Sequence, residues 1–259
     1  MGCDIHIWVE ARASENDPWQ LAFPESWTCP WCHGTGISKA NAYRKVDADC
    51  FLCEGAKVVN QFTERNYNLF GMLANVRNGT GFAGVRTGDG YVPISKPRGF
   101  PKDMSLGLTK HLASWDCDVD EENSEEIEYP YRLAYQGDHS DSWLLISEIL
   151  EYFADGNRVS HHQGIVSMEE YKVFLEKGRP DSWSGGIGGS GVEIVDNQKA
   201  RNLLENKETQ EAGKYYCTLV HWTSTYAEDA GKAFLEYFIP ACQKLGDPKN
   251  VRLVFNFDS

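Results

Sequence analysis

The stretch "CDIHIWVE", residues 3–10, decides the fold. Ile5, Ile7 and Val9 alternate with Asp4, His6, Trp8 and Glu10, the two-residue period of a strand with one face turned inward. "PWQLAF" at 18–23 supplies a hairpin partner, and "KYYCTLVHW" at 214–222 and "NVRLVFNFD" at 250–258 read as further strands. Helices lie between them. "NYNLFGMLANVRNG" at 66–79 has apolar residues at helical spacing and a stop at Gly79, and "DSWLLISEILEYFADG" at 141–156 reads as a second helix. Ser167-x-x-Glu170 and Thr225-x-x-Glu228 are capping boxes that open two more, the last running to about Leu245 with a kink at Pro240. The closing β-α-β run predicts a parallel pair, or strands flanking the first one in a mixed sheet. The fold expected is α+β: a mixed β-sheet with flanking helices and a small inserted four-cysteine, zinc-ribbon-like module. Residues 1–26 and 60–259 form the main domain and 27–59 the insertion.

The insertion is read from its cysteines. Cys29, Cys32, Cys50 and Cys53 form C-x2-C-x17-C-x2-C, in "CPWCHGTG" and "CFLCEGAK". Each C-x2-C places two thiolates on one side of a tight turn, and two such knuckles close a tetrahedral zinc shell. Glycines 34, 36 and 55 let the backbone fold behind the sulfurs. Four thiolates leave no open position for water, so the predicted zinc is structural. A redox dithiol and disulfides are the competing readings. Cys217 and Cys242 fall on predicted core elements and read as small buried hydrophobes.

A net charge of −13 argues against generic nucleic-acid binding. The acidic run at 116–128 reads as a solvated loop. No apolar run reaches membrane-spanning length and the N-terminus lacks a secretory pattern, so the cytoplasm is the expected compartment. No nucleophile elbow, P-loop or HExxH motif occurs, and "SGGIGGSG" at 184–191 reads as a loop.

Chemistry is sought in two polar stretches. Asp4 and His6 leave one face of a strand, and "GDHSDSW" at 137–143 adds Asp138 and His139. Two Asp/His pairs suit a second divalent metal that generates hydroxide for hydrolysis; equally, they suit hydrogen-bonded core or surface positions. A reading without metal uses a helix N-terminus near Asp141, with Arg65, Arg77 and Arg98 as guanidinium forks for a phosphate. Tyr67, Tyr91 and Trp143 would then stack on a base. The expected partners are a small phosphorylated ligand or a host protein.

Two resemblances extend these readings. The block C-x-x-C-x-G-x-G, repeated as C-x-x-C-x-G, resembles the cysteine-rich zinc module of J-protein chaperones over residues 27–59. Those modules carry four copies, and this chain has one and a half with no His-Pro-Asp signature, so the likeness implies a zinc knuckle pair and no chaperone activity. The ordered set "GCDIHIWVE", "RNYNLFGMLANVRNG", "PISKPRGFPKDMS", "GDHSDSWL" and "VRLVFNFD" resembles a family of uncharacterised tailed-bacteriophage proteins. That likeness implies expression in an infected bacterium and a shared site at Asp4, His6, Arg65, Asn66, Arg77, Arg98, Asp138, His139 and Ser142. It implies no particular reaction.

Overall fold

The computed structural model describes residues 2–29, 31–39, 46–50, 52–60, 62, 65–81, 84–113 and 139–258. Asp138, Cys117 and the acidic run at 116–128 lie outside them. The protein is α+β, with seven α-helices among the described residues.

β1 (Ile5–Ala11), β2 (Gln20–Ala22), β7 (His139–Leu145) and β11 (Val251–Phe257) build a four-stranded antiparallel sheet in the order β2-β1-β11-β7. The register pairs Ile5 with Phe257 and Ala11 with Val251. Ile5, Val9, Leu253, Phe255 and Phe257 face the main core. There they meet α1 (Tyr67–Ala74), α3 (Ile146–Ala154), α6 (Tyr226–Ala230) and α7 (Ile239–Gln243). The reverse face is covered as well: Val254, Trp8 and Trp143 pack under α2 (Leu106–Ala113) through Leu108 and Leu112. With both faces covered, all of β11 is buried, Arg252 and Asn256 included.

A second, mixed sheet contains β8 (Val159–Ser167), β9 (Val192–Val195) and β10 (Tyr215–Thr225). β10 runs antiparallel to β8 and parallel to β9. Val166, Tyr216 and Val220 bury one face against α4 (Met168–Lys177) and α5 (Asn197–Leu204). The other face leaves Tyr215 and Leu219 exposed, as an antiparallel pair tolerates.

Local expectations change in four places: α1 stops at the left-handed Asn75 rather than at Gly79, and the helix capped by Thr225 ends at Ala230 rather than near Leu245. β10 and β11 fall in different sheets, because α6 carries the chain from the second sheet straight into the main core, where Tyr226 and Ala230 are buried. Residues 139–145 are a strand, and the helix starts only at Ile146, where the Glu148 carboxylate accepts the Leu145 N–H at 2.9 Å. A continuous apolar run suits either element, and pairing with β11 selects the strand. The anion-binding helix N-terminus near Asp141 is therefore not formed. The predicted cap at Thr225 is present, with both halves of the box made. Pro240 follows a π-helical turn at Ala233–Phe238, where its missing N–H disturbs the helical ladder.

Candidate metal centre and ligand cleft

Four short strands frame the cysteines: β3 (Trp27–Thr28) pairs with β6 (Val58–Val59), and β4 (Ile37–Ser38) with β5 (Ala48–Asp49). Each knuckle closes through left-handed residues, His33 and Gly34 in the first and Glu54 and Gly55 in the second. The two knuckles brace each other, since the Cys29 N–H donates to Lys57 O and the Cys50 N–H to Gly36 O at 2.9 and 2.8 Å. Gly36 is required there, for an added Cβ would sit 2.8 Å from Gly55 O.

All four sulfurs are buried and lie within 4.8 Å of one another. Cys29 and Cys50 are 3.8 Å apart, and Cys32 and Cys53 3.7 Å. A disulfide needs ~2.05 Å. A tetrahedron with zinc–sulfur arms of ~2.3 Å has edges of about 3.8 Å. The donor set and spacing thus suggest a structural zinc site. Burial pushes the Cys29 thiol up to about 12. At Cys32 burial is outweighed by the Gly36 N–H and the adjoining thiols, which draw it down to about 6. At Cys50, too, burial is outweighed by backbone N–H groups and adjoining thiols, so two corners favour thiolate, the form a metal takes. Among the described residues this is the one group of three or more His, Cys, Asp or Glu side chains close enough to hold a cation.

Asp4, just before β1, and His6 within it lie at one end of the first sheet, with Arg65 and Asp258. The Asp4 carboxylate receives the Arg65 guanidinium through Nε at 2.6 Å and through Nη2, and this hydrogen bonding holds its pKa below the usual range. The Asp4 N–H donates to Asp258 Oδ1 at 2.8 Å, and His6 Nε2 lies 3.4 Å from Asp258 Oδ2. His139 stacks on Phe257 at 6.1 Å, with Nδ1 2.9 Å from Ser140 Oγ. Asp258, two residues past Asn256, was not foreseen from the sequence. Arg77 sits over the Tyr67 ring at 5.7 Å and interacts with the Cys3 thiol, which burial raises.

The other foreseen residues hold structure. Asn66 caps α1 and donates to the Asp229 and Ala230 carbonyls. Arg98 makes a fork to Glu148 at 3.0 and 2.7 Å and lies 5.0 Å over Trp143. Its N–H donates to Ser142 Oγ at 3.2 Å. Of the aromatic residues expected to stack on a base, Trp143 is under Arg98 and Tyr91 is buried.

Tyr67 alone of those three reaches a cleft. The cleft has a volume of about 660 Å³ and lies between the knuckles, the start of α1, and the loops that carry Thr80, Thr87 and Trp183. Trp31 and Leu52 form its cysteine-side wall, Arg65 and Tyr67 its α1 side, and Thr87 and Trp183 its far side. Trp183 is fixed by the Ile165–Ser184 bridge and by an edge contact to Trp222 at 5.3 Å. It packs on Gly164, where an added Cβ would approach its ring to 2.8 Å. Thr87 is held by the Gln163 N–H, which donates to its carbonyl at 2.9 Å. Arg65 belongs both to this cleft and to the Asp4 edge. The signal missed in the sequence was the third residue of each C-x-x-C, a large apolar side chain in an otherwise polar segment.

A buried cluster ties the second sheet to α6 and to Tyr91 of the main core. Asp229 Oδ2 receives the Tyr91 hydroxyl at 2.9 Å and lies 3.0 Å from His162 Nε2, and Asp229 Oδ1 receives the Ser224 hydroxyl at 2.6 Å. Ser224 Oγ is itself 2.9 Å from the same His162 nitrogen. A nucleophilic triad needs serine and aspartate on opposite ring nitrogens, so this arrangement is a cross-link. Burial and the adjacent Asp229 carboxylate raise the Tyr91 pKa, keeping its hydroxyl a donor. Asp229→Ala strands the Tyr91 and His162 donors, and the expected loss is about 1–3 kcal/mol in urea unfolding. An unchanged midpoint would mean that the cluster contributes nothing.

Comparison with protein-family models, curated proteins and solved structures finds no match for this chain. Fold and site together define an α+β protein with a four-cysteine site of zinc type. No helix among the described residues is long and apolar enough to cross a membrane.

Proposed function

We propose that the protein binds a small phosphorylated, nucleotide-like ligand in the cleft beside its zinc knuckles. One observation carries the reading: the cleft combines the aromatic faces of Trp31, Tyr67 and Trp183 with the Arg65 guanidinium. Its volume falls in the range of small-molecule sites. Flat rings stack on aromatic side chains, and Arg65 Nη1, the guanidinium nitrogen not bonded to Asp4, is a charged donor for a phosphate. In this reading residues 27–59 are an inserted module that supplies one wall, and 1–26 with 60–259 form the body. The likeness to tailed-phage proteins supports the cytoplasm of an infected bacterium as the setting.

Titrating the zinc-loaded protein with adenine and guanine nucleotides, followed by tryptophan fluorescence, tests this. At least one nucleotide is expected to bind, and Arg65→Ala to weaken it by about tenfold or more, the worth of a charge-assisted hydrogen bond. Gly164→Ala should also weaken it, because the added methyl pushes Trp183 off its seat. Failure of every nucleotide at millimolar concentration would dismiss the ligand class.

A second reading is metal-assisted hydrolysis by Asp4, His6, Asp138 and His139. The Asp4 carboxylate already receives Arg65 on both oxygens, so in this reading the cation displaces that ion pair. Elemental analysis separates the two. Two metals per chain, falling to one in Asp4→Ala, would support hydrolysis, whereas a single zinc unaffected by Asp4→Ala would leave binding alone.

A further inference from the structure

We infer that the two zinc knuckles are themselves the recognition wall of the cleft, so that metal loading and ligand binding form one linked equilibrium. This rests on the cleft being the ligand site. Trp31 is the third residue of Cys29–Cys32 and Leu52 the third residue of Cys50–Cys53, so each knuckle contributes one side chain to the same cleft. Trp31 is 60% exposed, the state of an aromatic residue presented to a ligand rather than packed in a core.

Little besides a metal can hold that wall in place. Among the described residues, the buried cluster under it consists of the four cysteines, with Leu52 and Val59 packed against them. Its two ladders are each two residues long. A two-stranded ribbon of even ordinary length is marginal in water, and small four-thiolate modules fold on binding zinc. The base of the segment is tied independently, by Trp27 against Phe238 at 5.7 Å. Arg65, Tyr67, Thr87 and Trp183 belong to the body. Metal loss therefore dissolves one wall and leaves the other standing. By reciprocity, a ligand that needs both walls tightens zinc by the factor by which zinc tightens the ligand.

The test uses the full chain labelled with 5-fluorotryptophan and read by fluorine NMR, the Trp31 and Trp183 lines being assigned with Trp31→Phe and Trp183→Phe. Stripping zinc with a chelator is expected to shift both lines and to leave those of Trp19 and Trp143 in place. In zinc-loaded Trp31→Ala the Trp183 line should already stand at its stripped position. With ADP as probe, stripping should weaken binding by about tenfold or more, within the usual span of coupling energies, and one equivalent of zinc should restore it. A Trp183 line indifferent to zinc overturns the inference, as does collapse of every line, which would make the metal a requirement of the whole fold. Equal ADP affinity with and without zinc overturns the linkage while sparing the nucleotide reading. If no nucleotide binds either form yet the Trp183 line moves with zinc, the ligand class fails and the metal-built wall stands.

Discussion

Cys50→Ser is expected to leave the chain without zinc and to open the segment around the knuckles to protease, while both sheets persist. Cys50 is fully buried and 3.8 Å from Cys29, so its loss removes one corner of the shell. A serine hydroxyl does not replace a thiolate at neutral pH, and three remaining sulfurs hold the ion far less tightly. The free energy at stake is large, ~10–16 kcal/mol for zinc in small finger peptides. Among the described residues, the apolar side chains packed on the four cysteines are Leu52 and Val59, too few to substitute for it. Elemental analysis should find about one zinc in the wild type and none in the variant. Trypsin should cut at Lys39 and Lys57 in the variant, and in chelator-treated wild type, well before it cuts the sheets. A variant that keeps a full equivalent of zinc, or wild type that resists trypsin after chelation, would remove the metal from this structure.

The second large effect lies on the far side of the first sheet. Arg252→Ala should destabilise the protein by about 3–5 kcal/mol, as removing one partner of a buried ion pair does. Glu10 and Arg252 face each other across β1 and β11 and are 0% and 1% exposed. Arg252 donates to Glu10 Oε2 through Nε at 2.8 Å and to Asp103 Oδ1 through Nη1 at 2.8 Å. The other Glu10 oxygen receives the Ser105 N–H at 2.7 Å, and the guanidinium lies 4.0 Å over the Trp19 ring. Deleting the arginine leaves a carboxylate sealed beneath the loop at 100–105. The double variant Glu10→Leu, Arg252→Met removes both charges together and should recover most of the loss, because a buried pair exchanged for apolar side chains is often close to neutral. Urea titration of the two single variants and the double variant yields the coupling directly. If Arg252→Ala costs less than about 1 kcal/mol, the network is not closed as described.

How much of this could be read from the residues differs from element to element. β1 and β11 were legible because their inward faces alternate cleanly, and the Thr225 cap because its chemistry is local. The cysteine spacing carried the metal site. The alternation also misled, since it placed Glu10 on an outward face; α2 and the loop at 100–105 cover that face through contacts some hundred residues away. The strand at 139–145 looked helical because its pattern is continuous with α3, and only its pairing with β11 separates them. At the sheet end, Asp4, His6 and Arg65 were legible as polar residues, but their partner Asp258 belongs to the neighbouring strand's exit. The cleft was the least legible feature. Trp31, Leu52 and Trp183 come from segments that share no local pattern, and they meet only in the folded chain.

The pairing of Ile5 with Phe257 has a consequence for synthesis. β11 is the inner strand between β1 and β7, so neither neighbour has a partner on that side until residues 251–257 leave the ribosome. The knuckles can close on their metal much earlier, within a few dozen residues of chain. The nascent protein thus carries a finished finger on an unfinished sheet. Its closing step brings together strands more than two hundred residues apart, the kind of non-local pairing that folds slowly and exposes apolar edges on the way. Truncations before residue 251 should accordingly behave as chaperone clients that nevertheless retain zinc.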